Sequence, residues 1–175
     1  MIAIDEQIAQ LEGPRIAQRI HDLIAGTVRR HEAQHGLDDD RGEKLKYPNE
    51  LVAYVGEFHD RKGEPRSAAE HANAELSAYT SQIANDPATP MFVLGHLARF
   101  ALERDSWGTT ESYVAVVLVE VLAGETGIIH DGGVDLPRYE AALTRLAART
   151  DDELRANARS AYERMYRERL AVIAD

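Results

Sequence analysis

Apolar residues recur at spacings of three and four along almost the whole chain, and sustained period-two alternation is nearly missing, so the pattern predicts helices rather than strands. A short helix is expected over about Ile4 to Leu11, broken by Gly13-Pro14. A long one follows from about Arg15 to His35, with Ile16, Ile20, Leu23, Ile24 and Val28 along a side expected to face the interior. Gly36 stands where a helix end favours a left-handed residue, and Leu37 to Tyr47 is polar and reads as a loop. Pro48 suits the first turn of a helix to about Asp60, with Leu51, Val55 and Phe58 as its stripe. Ser67 and Glu70 have the spacing of a capping box at the head of a helix to about Asn85.

Helices are expected again over about Met91 to Arg104 and Thr110 to Ala123. Gly127-Ile128-Ile129 fits a stub of strand, Leu136 to Arg149 a further helix, and Thr150 with Glu153 a second capping box opening a last helix to about Ile173. No low-complexity tract or long linker divides the chain. The expectation is one all-α domain over residues 1–175 with seven or eight helices, the site-bearing helices at about 15–60 and the remaining helical body at about 67–173.

Composition narrows the function classes. The chain has 44% apolar and 29% charged residues, in the range of a globular fold. A net charge of −10, with no broad cluster of Lys and Arg, argues against nucleic-acid binding. No apolar run approaches a bilayer span, and the first residues lack a secretion signal, so a cytoplasmic protein, or one exported without a classical signal peptide, is expected. Cysteine is absent, which leaves His, Asp and Glu to hold any metal, a donor set suited to Zn, Fe or Mn.

The segment His31-Glu32-Ala33-Gln34-His35 carries the candidate chemistry. Histidines four apart on a helix leave the same face one turn apart and can share one tetrahedral Zn²⁺, while Glu32, on the adjoining flank, can take a proton from a zinc-bound water. If the next helix packs antiparallel, Glu50 in its opening turn comes level with His31 and His35 and completes a His₂Glu set with a vacant fourth position. Glu57, about 10 Å further along, is a weaker candidate.

His31-Glu32-Ala33-Gln34-His35 followed by Glu50-Leu51-Val52-Ala53-Tyr54 resembles the gluzincin metallopeptidases, and is most similar to the small H-E-x-Q-H…E-x-x-A-Y domains of bacterial toxins and effectors. The resemblance covers about Ile16 to Asp60. It implies a zinc peptidase acting on a peptide or protein, with His31, His35 and Glu50 as ligands, Glu32 as general base and Tyr54 as donor to the developing oxyanion.

Two residues outside that stretch stand apart. His130, beside Asp131-Gly132-Gly133, is a candidate oxyanion or substrate contact, and Glu120, set in Val116 to Leu122, must be paired or hydrogen-bonded, with a core Tyr or Arg or with a ligand imidazole. Two other readings stay open: a helical interaction module in which the histidines are incidental, and a di-iron oxidase built on Glu32-x-x-His35, which needs a second such motif.

Overall fold

The computed structural model describes residues 13–130 and 132–173. The helix expected at Ile4 to Leu11 lies outside the described residues. Those described form seven α-helices: α1 (Gly13–Asp39), α2 (Asn49–Val55), α3 (Ser67–Asn85), α4 (Pro90–Leu102), α5 (Thr110–Ala123), α6 (Leu136–Ala147) and α7 (Asp151–Tyr166). A 3₁₀ turn, Arg104–Ser106, follows α4. Between α5 and α6 a two-residue hairpin pairs β1 (Ile129–His130) with β2 (Gly133–Val134) in antiparallel register, so the expected stub of strand is there with a partner. The all-α class and the single helical domain hold. Among the described residues no helix is long and apolar enough to cross a membrane.

Two helices form the centre. In α5, Val114 to Val119 are all buried, because its sequence is apolar all round and five other helices (α2, α3, α4, α6 and α7) close over it. Small residues let α3 sit equally deep: Ala69, Ala72, Ala78 and Ala84 admit close neighbours, and α1 and α7 flank it. The helix ends follow local chemistry. Thr109 caps α5 by accepting from Ser112 N, and Gly124 ends it with φ 71°. Thr150 and Glu153 make the expected capping box of α7, which stops at Arg167 in the left-handed region rather than running to Ile173.

Several local expectations need correction. Helix α1 does not stop at Gly36 but continues to Asp39, Gly36 O accepting from Asp40 N at 3.0 Å. The box at Ser67 does not form: Ser67 is already helical and Arg66 holds the cap position without a side-chain bond. Helix α2 ends at Val55, not Asp60. There Gly56 takes φ 91°, and the Arg66 guanidinium donates to Val55 O and Glu57 O at 2.9 and 3.0 Å, satisfying carbonyls a longer helix would have used. The φ of 91° favours glycine at 56, and a Cβ there would meet the guanidinium at 2.8 Å, so Arg66 would have to shift from the carbonyls it holds. The largest departure concerns the stripe of α1. Ile20, Ile24 and Val28 are 41, 44 and 51% exposed and face outward, because α1 turns Thr27, Arg30 and Gln34 inward, toward Gln82 of α3, Asp86 just after it and Tyr162 of α7.

Buried phenols make the fold sensitive to alkali. Burial raises Tyr139, Tyr162 and Tyr166 above the ordinary tyrosine value, and burial together with the hydrogen bond to Glu120 pushes Tyr54 up to about 12. A raised folded value means the contribution is complete below pH 10 and is lost as pH climbs toward 12, where the unfolded chain ionises more readily. Phenolate absorbance and loss of helical circular dichroism are expected to rise together above pH 10. Full phenolate formation near pH 10 with helicity intact would contradict this.

Candidate metal centre

His31 and His35 lie one turn apart near the C-terminal end of α1, and Glu75 reaches them from the middle of α3. The two helices run antiparallel: Glu75, Gln82 and Asp86 of ascending number meet His35 and His31, then Thr27, then Thr27 again with Arg30. The Nε2 atoms of the imidazoles are 3.0 Å apart. Glu75 Oε2 lies 3.4 Å from His31 Nε2, and Oε1 lies 3.5 Å from His35 Nε2. Donors bound to one tetrahedral Zn²⁺ at ~2.05 Å stand ~3.3 Å from one another. The imidazole pair has that spacing, each imidazole has it to one of the two Glu75 oxygens, and one ligand atom from each residue can be chosen with all three within 4.8 Å of one another. The side chains are 13, 25 and 15% exposed, shielded yet reachable from one side.

The surroundings fix the ligand atoms. Gln82 donates its amide to Thr27 O at 2.9 Å, which turns Oε1 toward His31 Nδ1 at 3.3 Å. His31 therefore donates from Nδ1 and turns Nε2 toward Glu75 and His35, the orientation an outer partner gives a metal-binding imidazole. Electrostatics point the same way. Burial opposes ionisation of Glu75, but hydrogen bonds and charge from His31 and His35 outweigh it and hold the carboxyl down at about 2. The Glu75 hydrogen bond, against the pull of burial and with help from Glu32 and Asp38, raises His35 above its ordinary value. Each shift is the other's counterpart: the carboxylate and the imidazoles hold one another in opposite charge states.

The chain matches no known family model, no curated protein and no solved structure.

Of the expected site residues, His31 and His35 converge and Glu32 stands beside them, exposed at the mouth of a cleft of about 490 Å³ that His31 also lines. Glu50 is a correction. It is exposed on α2 and is not a member of the donor group, because α2 is a seven-residue helix packed on α5 and α3 rather than an antiparallel partner of α1. Tyr54 is engaged elsewhere: its hydroxyl donates to Glu120 Oε1 at 2.7 Å, and the same oxygen accepts from Ile128 N at 2.6 Å. This pairs buried Glu120 with a tyrosine and pins the hairpin to α5 instead of supporting an imidazole. His130, 62% exposed on that hairpin, lies 3.8 Å from Asp135 and is not among the residues lining the cleft.

The residues missed had a sequence signal. The E-x-x-A-Y pattern read at Glu50–Tyr54 occurs a second time, as Glu75-Leu76-Ser77-Ala78-Tyr79, and the second copy supplies the carboxylate. Tyr79 then lies one turn past Glu75, its ring 4.5 Å from that of His31 and lining the cleft. Burial and the nearby carboxylate of Glu75 raise its phenol to about 12, so it remains a donor at neutral pH. The di-iron alternative needs a second set of ligands; among the described residues there is one group of three, His31, His35 and Glu75.

Proposed function

We propose that this chain is a zinc-dependent hydrolase of carbonyl compounds, with peptides among its candidate substrates, in which His31, His35 and Glu75 hold the ion, Glu32 is the general base and Tyr79 the oxyanion donor. The observation that carries the reading is the convergence of His31, His35 and Glu75, one ligand atom from each within 4.8 Å of the others, on helices that also bring the Glu32 carboxylate and the Tyr79 phenol to one cleft. A bound Zn²⁺ would contribute a Lewis acid able to bring a water's pKa near 7.

The protein's own groups do the rest. Gln82 fixes the His31 ring, so the ligand geometry is set before substrate arrives. Glu32, exposed at the cleft mouth next to His31, accepts the proton of the attacking water and can return it to the leaving group. The Tyr79 hydroxyl, protonated at neutral pH, donates a hydrogen bond where negative charge develops on the carbonyl oxygen.

The decisive experiment is Glu32→Gln, assayed for zinc content and for hydrolysis of fluorogenic peptides and nitrophenyl esters. Zinc stoichiometry is expected to stay at the parental value while turnover falls by about 10²- to 10⁴-fold. A parent that retains no zinc, or a variant that turns over at the parental rate, overturns the proposal.

A further inference from the structure

The cleft beside the centre is built for an apolar ligand. Its walls come from Ile24 and Val28 on α1 and from Phe92 and Val93 on α4, with Tyr79 at the inner end against His31. Ile24, Val28 and Phe92 are 44, 51 and 51% exposed, an unusual concentration of large bare side chains on both sides of one depression. At about 490 Å³ the space suits a small organic ligand rather than a single solvent molecule.

The polar groups in the cleft are mostly engaged. Thr27 is hydrogen-bonded to Leu23 O and Asp86, and Gln82 to Thr27 O and His31. His96 lies between Phe92 and Phe100, and burial lowers its pKa, which favours the neutral ring. Among the described residues, Glu32 is the one formally charged side chain lining the cleft and no Lys or Arg lines it, so an anionic group such as a phosphate finds no cationic partner among them.

Resting on the hydrolase reading above, we propose that the substrate is an ester or amide of a hydrophobic acyl group, whose carbonyl meets the His31–His35–Glu75 centre while the apolar portion fills the space between α1 and α4. The apolar group belongs either to a fatty acid or to a hydrophobic residue of a peptide; the shared chemistry is an uncharged hydrocarbon joined to the carbonyl.

Alkyl hydroxamates, which bind zinc through the head group, test this without turnover. Titrated into the zinc-loaded full chain by calorimetry, the series from acetohydroxamate to octanohydroxamate is expected to tighten about fourfold per added methylene. Phe92→Ala and Val28→Asp should flatten that dependence. Affinity indifferent to chain length, or a slope untouched by both substitutions, overturns the proposal. Tighter binding of N-acetyl-leucine hydroxamate than of hexanohydroxamate assigns the apolar group to a peptide, and the reverse order to a fatty acyl chain. A metal-free arm separates the two readings: n-alkanols should shift the Val28 and Phe92 side-chain resonances more strongly as they lengthen. If zinc is not retained but this dependence persists, the metal reading fails and the apolar cleft stands; if hydroxamates bind without length dependence, the metal reading stands and the apolar cleft fails.

Discussion

Glu75→Gln is expected to weaken zinc binding by more than about 100-fold, while Glu50→Gln leaves it at the parental level. The lower bound follows from metal sites in general, where removing an outer partner alone costs about 10- to 100-fold, and a ligand contributes more than its supports. Glu75 supplies the only carboxylate in the donor group, and each of its oxygens faces a different imidazole. Its amide counterpart keeps the shape, loses the charge, and leaves two histidines alone. The measurement is chelator competition, backed by the zinc-induced change in melting temperature. That change, not the absolute transition, is the proper comparison. Because its folded value is held at about 2, Glu75 itself contributes stability above its unfolded value of 4.5, and that contribution fades as pH falls toward 2. A Glu50→Gln protein that loses zinc while Glu75→Gln keeps it would reverse the assignment.

The second large effect is structural. Asp86→Ala is expected to destabilise the fold by about 3–5 kcal/mol, the usual cost of stripping one partner from a buried ion pair. Asp86 has a side chain 1% exposed and accepts from Ala88 N, Thr89 N, Thr89 Oγ1, Thr27 Oγ1 and Arg30 Nη1. Three of these bonds shape the turn into α4, and two join α1, at Thr27 and Arg30, to the residue that follows α3. Truncation leaves the Arg30 guanidinium, 7% exposed, without that carboxylate. Chemical denaturation should show a lower midpoint at unchanged slope. A midpoint within experimental error of the parent would show that the network contributes nothing net.

Much of the fold was legible because helical periodicity and end signals are local. The ends of α5, the opening of α6 at Leu136 and the Thr150 box depend on residues within one turn, and these agree between sequence and structure. Orientation was harder. The row Ile20, Ile24, Val28 looks like a core stripe, yet α1 turns its polar side inward because Thr27, Arg30 and Gln34 find buried partners on α3, on α7 and in the turn after α3. Periodicity marks a face and cannot say which neighbour claims it. The same limit governed the site. The His31–His35 pair and Glu32 were readable from spacing, but the third donor depended on which helix lies against α1. Two copies of E-x-x-A-Y were available, and α2, although nearer in sequence, ends at Gly56 where Arg66 takes over its carbonyls.

The outward-facing hydrocarbon of α1 bears on how the centre would behave when filled. That helix lies along the outside of the body, with α3 as its chief support. Its histidines and the opposing carboxylate belong to different helices of this seam, so a cation seated between them would join the two and favour the folded form by its binding free energy. An ion held there would tie α1, and with it the Ile24–Val28 wall of the cleft, to α3.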